Sequence, residues 1–525
     1  MNSHTHIEDL SNEIFFEIFD YLHALDIFTA FNSLNKRISS ILQIIPLRIL
    51  ISYDHCYRQI NFLSSYLNFH SHQVISIKIY DTIRDYSSII NLLFNRHYFI
   101  NLQSCIFFSI KPSTKLENVI KQLKHLNRLV SFSIRQPRQK NLNENDKDDL
   151  IRTLFMHKSS FLRSIIFQFP YNYLNISNYN SISSNILSLL LWISGSPSTL
   201  SVYSILPILR LCYTIRYLTI AIEHEDSLEN NHINFSIQPP LINENLLPTL
   251  SQVKSFYLAS LARCDIRSIS YILRCMPNLI HFNFNLMIPS AIWPFPHELL
   301  NGYVWQQMLE FYIPCLSKFE FHMSIIKRYP KLDLDFVVHS FEYFSQKYPN
   351  WNMIIDRWRL YRGNPEEVIL LRTLNYHKQK LNGNVNVPLI CCASFDTRST
   401  TTTNDHHLFY SNVTELRLLM INRRQIFTWS CPLFQQIKYL IIRMPARRSL
   451  LWNNLLNIVN FLETNNNSDA QQSVNCLSHF VHLSNITQIE FLLSFGTSRC
   501  QDIQFILQAC PNVMDLIIST EYLLS

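Results

Sequence analysis

The sequence predicts an α/β protein: a three-helix unit at the N-terminus, then a helix–strand solenoid with irregular interruptions. Three observations carry this. Residues 10–42 show a helical apolar pattern with two stripes on one short helix. Three segments align without gaps: Ile208 to Ile220 (ILRLCYTIRYLTI), Ile272 to Phe284 (ILRCMPNLIHFNF) and Ile506 to Ile518 (ILQACPNVMDLII). Finally, 525 residues are too many for one ordinary core and fit several domains or one elongated array.

In the N-terminal segment LSNEIFFEIFDYLHALDIFTAFNSLNKRISSIL, Ile14, Ile18 and Leu22 recur at helical spacing, and Phe15 and Phe19 form a second stripe beside them. One face is expected to pack on the following helices, leaving the other for a partner. Ser11 supplies a capping oxygen and Glu13 a first-turn carboxylate. After a break at His23-Ala24, Leu25-Asp26-Ile27-Phe28 opens a second helix. Phe31, Leu34, Ile38, Ile41 and Leu42 continue the pattern to Pro46. Three short helices hold little core of their own and call for a neighbour.

These residues resemble the F-box. The matching positions are Leu10, Glu13, Ile14, Ile18-Phe19-Asp20-Tyr21-Leu22, Leu25-Asp26-Ile27 and Asn35-Lys36-Arg37. The match spans about residues 7–45, under a tenth of the chain. Ser11 stands where the family has proline, and no tryptophan follows the third helix. An ordinary helical bundle is the alternative.

In the remainder, each aligned copy ends a helix-like run, turns, and then reads apolar-x-x-apolar-x-apolar, the alternation of a half-buried strand. Similar triplets open at Val74, Leu102, Leu129, Leu162, Ile186, Ile215, Val253, Leu279 and Leu316, and again at Val413, Ile437, Ile486 and Val513. Most spacings are about 24 to 38 residues, those of a helix–strand array. The pattern resembles irregular leucine-rich repeats of the kind that follow an F-box. The family's Asn or Cys after the strand is replaced by Glu223 and Glu521 in two copies. A mixed α/β domain with repeating units is the alternative.

Two regions interrupt the array. Asn301-Gly302 reads as a turn before a helix from about Tyr303 to Ile313, stopped by Pro314. Beyond Tyr329 the repeat phase is lost, with a helix near Phe336 to Gln346 and strands near Trp351 to Leu360 and Val368 to Leu374. Asp396 to Asp405, Asn141 to Asp149 and Asn465 to Ser473 read as polar loops. The expected domains are 1–47, the F-box; 48–322, the first repeats; 323–410, an irregular insertion; and 411–525, C-terminal repeats.

Composition narrows function. Five glycines, about one per cent against ~7% in average proteins, stand too far apart for any phosphate-cradling loop. Net charge is +7 and ungathered, so no nucleic-acid footprint is expected. Twelve cysteines are scattered without a CxxC pair, excluding a paired zinc site and suggesting reduced, buried thiols. The N-terminus lacks the basic start and apolar run of a signal peptide. The longest apolar stretch, Ile186 to Ile193, is far short of the ~20 residues that span a bilayer. A soluble protein of the cytoplasm and/or nucleus, without membrane or nucleic-acid partners, is expected.

No protease, esterase or calcium-loop motif occurs. His406-His407 and Glu223-His224-Glu225-Asp226 read as exposed loop residues. Arg417, Arg423 and Arg424 follow one strand pattern, and Arg443, Arg447 and Arg448 the next. On neighbouring strands they would gather for an acidic or phosphorylated ligand; on a solvated rim they need none.

The resemblance implies a non-catalytic substrate-recognition adaptor of a cullin-type (SCF) ubiquitin ligase, with no catalytic, cofactor or metal residues. Leu10, Ser11, Ile14, Ile18, Leu22, Leu25 and Ile27 would dock on a Skp-family adaptor and, through it, a cullin. The repeats would hold an unknown protein substrate, and the mechanism is proximity. The alternatives are an interaction scaffold with a degenerate F-box, and an enzyme whose site carries no recognisable motif.

Overall fold

The computed structural model describes residues 7, 10–81, 88–111, 113–136, 142–172, 182, 185–196, 200–224, 247–262, 264–288, 297–327, 331–359, 367–373, 394–400, 415–419, 436–444, 481–493 and 500–519. It divides into two compact units, residues 1–283 with 308–318, and residues 284–307 with 319–525.

The first unit begins with helices α1 (Asn12–Tyr21), α2 (Ala24–Phe31) and α3 (Lys36–Leu42). Strands β1 (Leu47–Ile51), β2 (Val74–Tyr80), β3 (Ser104–Phe108), β4 (Ser131–Arg135), β5 (Ser164–Asn172), β6 (Ser188–Gly195), β7 (Tyr217–His224) and β8 (Ser255–Leu261) follow. They lie side by side in chain order, each paired parallel with the next. β9 (His281–Ile288) follows. Between strands stand α4 (Tyr57–His70), α5 (Ile89–Arg96), α6 (Glu117–Leu123), α7 (Glu144–Phe155), α8 (Ile205–Leu209) and α9 (Ile266–Arg274). Parallel neighbours require a crossover, and a crossover of fixed hand returns each helix to the same face. Accordingly α4, α5, α6 and α7 each touch the next.

The sheet's inner face is buried at alternate positions, including Ile77 and Ile79, Cys105 and Phe107, Phe132 and Ile134, and Ile165 and Phe167. Phe94, Phe107, Phe132 and Phe167 meet in turn at 5.7, 6.0 and 6.5 Å, edge to face. Each unit also hands a carbonyl to the next. Gln103 O accepts from the N–H groups of Val130 and Ser131, and Val130 O from Arg163 and Ser164. The pattern recurs at Arg163, Leu187, Arg216, Lys254 and Ile280, all at 2.7–3.2 Å.

Buried polar side chains satisfy the remaining backbone groups at the turns. Gln73 Nε2 donates to Leu42 O and Ile45 O, and Gln122 Nε2 to Phe94 O and His97 O. The buried Asp81 carboxylate accepts from Ser88 Oγ, Ile89 N, Lys111 N and Thr114 Oγ1. Residues 141–149 depart from the expected loop: α7 begins at Glu144. Asn143 Oδ1 caps it by accepting from Asn145 N at 2.9 Å, and Leu150, Ile151, Leu154 and Phe155 bury its inner face. His224, expected in an exposed loop, ends β7, buried against Leu200 O at 3.0 Å.

In the second unit, strand β10 (Lys318–Lys327) pairs antiparallel with β12 (Glu367–Thr373), which pairs with β11 (Met353–Arg359), which pairs with β13 (Ser394–Ser399). Helix α10 (Gly302–Tyr312) bridges both units in sequence, and α11 (Leu334–Lys347) precedes β11. Gly302 sits inside α10 rather than before it. A Cβ there would run into the Ser340 carbonyl and lie 2.7 Å from Phe341 N, so no side chain fits. β13 replaces the first part of the loop expected at 396–405, the rest of which lies outside the described residues. Its Thr397 is buried and donates to Asp356 Oδ1 at 2.7 Å. A remote partner strand makes this polar run a strand. Further on, β14 (Glu415–Leu419), β15 (Tyr439–Met444), β16 (Gln488–Leu493) and β17 (Asp515–Ser519) form a separate parallel sheet, with α12 (Cys500–Ala509) before β17. The shared carbonyl recurs: Lys438 O accepts from Thr487 and Gln488, Thr487 O from Met514 and Asp515.

Twelve of the thirteen expected triplets open two residues before a strand, and β2 starts on Val74 itself. Asn465 to Ser473 lies outside the described residues. Cys105, Cys212, Cys264, Cys275 and Cys510 are buried free thiols, whereas Cys56 and Cys315 are exposed. Burial pushes the thiols up, to about 12 at Cys212 and Cys275 and about 11 at Cys510. No helix among the described residues is long and apolar enough to cross a membrane.

Two buried histidines make stability depend on pH. Burial, and then the neighbouring Arg96, hold the His97 imidazole below its ordinary value of 6.5 while its Nε2 meets Ser64 Oγ at 2.8 Å. Burial does the same to His157, partly opposed by its hydrogen bond to Leu123 O. Below pH 6.5 the unfolded chain takes up protons that the folded chain refuses, so stability falls as pH drops from 6.5 and is fully present above it. Chemical denaturation between pH 7.5 and 5 is expected to show this fall. A His97→Gln/His157→Gln pair should flatten it.

Candidate interaction surfaces

Helix α1 turns one stripe inward and one outward. Phe15 and Phe19 are buried and meet Phe31 of α2 edge-on at 6.3 and 5.1 Å. Ile14, 43% exposed, and the half-buried Ile18 lie on the opposite side with Tyr21, 88% exposed. Leu10 and Leu22 are half-buried and Ser11 is exposed. Leu25 and Ile27 belong to the buried core, so the outward part of the docking set is Leu10, Ser11, Ile14, Ile18 and Leu22.

Ser11 occupies the cap position of α1, but its side chain makes no cap hydrogen bond to the helix. Its hydroxyl instead holds the Glu13 carboxylate below the usual range, helped by a backbone hydrogen bond. The start of α1 is clamped from α3: Arg37 Nε donates to Asn12 Oδ1 at 2.8 Å, and a second guanidinium nitrogen donates to Leu10 O at 2.5 Å. The guanidinium lies 5.7 Å from the Phe15 ring centre. The three helices are joined to α4 through Phe28, stacked on Tyr66 at 4.9 Å, and to β1 through Arg48, which pairs with Asp20 at 3.3 Å.

A second surface is the sheet face opposite the helices. Register places Ser76, Ser104, Ser131, Ser164 and Ser188 in one row across five strands; Tyr217 follows, then Ser255. Each of these serines is half-buried, and Ser131 Oγ donates to Ser104 Oγ at 3.0 Å. Two rows on, Tyr80 and Phe108 stack at 4.3 Å with planes 7° apart. Lys78 Nζ lies 5.6 and 5.5 Å from these two ring centres, and the Arg135 guanidinium lies 5.5 Å from Phe108. This surface is not among the sequence-based expectations, although its signal is in the sequence: the second x is serine in the triplets that open at Val74, Leu102, Leu129, Leu162 and Ile186, and again in the one that opens at Val253.

The arginine cluster is only partly placed. Arg417 and Arg443 fall within β14 and β15 rather than after them, two register positions apart on paired parallel strands. Arg423, Arg424, Arg447 and Arg448 lie outside the described residues, as do His406, His407, Glu225 and Asp226. A cleft of about 720 Å³ beside β15, β16 and β17 is lined by Lys438, Ser484, Asn485, Asn512 and Met514 among others; Lys438 is the sole titratable side chain in that lining. Among the described residues no group of three His, Cys, Asp or Glu side chains is placed to hold a metal ion.

No family model and no curated protein matches the chain.

The two stripes of α1 should separate in mutagenesis. Phe19→Ala removes a buried ring and is expected to destabilise the first unit by about 3 kcal/mol. Ile14→Asp alters an outward position and should change stability by no more than about 0.5 kcal/mol. Urea denaturation of the two variants measures the difference.

Proposed function

We propose that the protein is the substrate-recognition subunit of a cullin-type ubiquitin ligase. On this reading α1, α2 and α3 form an F-box that docks on a Skp-family adaptor. The parallel strands and their helices form a leucine-rich-repeat-like solenoid that holds a protein substrate. The observation that carries the reading is the outward apolar stripe of α1, Ile14 and Ile18, on a helix whose other stripe is already buried. Burying that stripe against a partner helix stabilises association by roughly 25 cal/mol per Å² of apolar surface removed from water. The order of elements supports it too: three helices first, then parallel strands in chain order. The subunit would act by proximity, holding a substrate near a ubiquitin-conjugating enzyme, and would need no reacting groups of its own.

A second reading, an interaction scaffold without ligase coupling, is favoured by the burial of Leu25 and Ile27, which removes two positions from the docking set.

A pull-down of the full-length chain with purified Skp-family adaptor tests the proposal, beside an Ile14→Asp/Ile18→Asp variant. Capture by the wild type with loss in the variant is expected. A soluble wild type that fails to bind rules out ligase coupling and leaves the scaffold.

A further inference from the structure

Strands β1 to β6 contain no aspartate or glutamate; their charged residues are Arg48, Lys78 and Arg135. Arg48 is committed to Asp20. Lys78 and Arg135 have no acidic partner among the described residues, and their contacts are with rings. Across β2 to β4 the only charged strand side chains on the sheet face opposite the helices, toward its strand-exit end, are therefore positive.

Register orders the groups one layer per strand: Tyr80 on β2 is level with Phe108 on β3, which is level with Arg135 on β4. Phe108 thus has Tyr80 on one side and the Arg135 guanidinium on the other. A nucleobase would have to break this stack to reach the Phe108 face, whereas a carboxylate need only approach the N–H edges that a stacked guanidinium leaves outward. Lys78, over both rings, offers a second cation. Beside it, level in register, stand the half-buried Ile106 and, further across, Ile166 and Leu190. A ligand matching both features carries acidic side chains at one edge and apolar ones across the strands.

We propose that this face captures an acidic segment of a partner protein, its carboxylates held by Lys78 and Arg135 and its apolar side chains by Ile106, Ile166 and Leu190. The inference deepens, and rests on, the reading that the first unit holds a protein substrate. The stacked pair Tyr80 and Phe108 fixes the two cations in place before the ligand arrives, so less side-chain freedom is lost on binding.

The test is selection of a displayed library of random peptides, each about ten residues or ~33 Å when extended, on the full-length chain and on its Lys78→Glu/Arg135→Glu variant. Wild type should enrich peptides rich in Asp and Glu. An enriched peptide should bind the variant about tenfold more weakly and lose affinity with added salt. Thermal melting checks folding, and Lys78→Gln/Arg135→Gln serves if the reversal variant does not fold. Failure to enrich peptides, enrichment of neutral or basic ones, or equal binding by the variants overturns the proposal. So does tighter binding of a single-stranded RNA oligonucleotide through the same two residues. Adaptor capture by each variant is measured in parallel. Absence of capture by the wild type counts against ligase coupling, whereas an intact capture with no peptide selectivity counts against this face.

Discussion

A backbone carbonyl just ahead of a strand, shared by two successive N–H groups at the start of the next strand, sets the spacing of what is built on the parallel sheet. Gln103, Val130, Arg163, Leu187, Arg216, Lys254 and Ile280 play this part in the first unit, Lys438 and Thr487 in the second. A strand slipped by one residue would turn its buried set to the open face, and the shared carbonyl and the apolar residue just before it both oppose that slip. Leu129, Leu162, Ile186, Ile215, Val253 and Leu279 are all buried at this point. Where register is fixed so often, residues far apart in sequence become reliable neighbours. That is how Tyr80, Phe108 and Arg135 form one stack.

The helix ends that precede the strands pose a different problem. Helix ends leave carbonyls without partners, and the chain has few glycines with which to close them. Buried Gln73, Gln122 and His157 take up the task, each reaching about thirty residues along the chain, as Gln122 does to Phe94 O and His97 O; the buried Asp81 instead accepts from the N–H groups of Ile89 and Lys111. These side chains are polar, scattered and of mixed type. The same burial that lets His97 and His157 act as neutral hydrogen-bonding groups gives the fold its sensitivity to acid.

Much of the strand pattern was legible because a strand start needs one buried residue and alternation after it, and both are local. Helices α1, α10 and α11 were legible for the same reason. What escaped depends on remote partners. Residues 396–399 read as a loop because nothing in them shows that β11 lies beside them. Residues 144–149 read as a loop because their charges hide a capped first turn and a buried Lys147, whose Nζ reaches Glu144 and Pro170 O. The burial of Leu25 and Ile27 could not be told from that of Ile14, since all are apolar on short helices. The open face escaped because periodicity reports the apolar positions of each triplet, which are buried, while this face is built from the residues between them.

The register that aligns the serine row also sets the cationic aromatic stack. Pairs of cysteines introduced by Ser76→Cys with Ser104→Cys, and by Ser164→Cys with Ser188→Cys, test it directly under mild oxidation with mass-spectrometric mapping. Both pairs are expected to cross-link readily. Ser104→Cys with Ser188→Cys, three strands and ~14 Å apart, should stay reduced. Cross-linking of that distant pair, or failure of both adjacent pairs in a folded protein, would contradict this register.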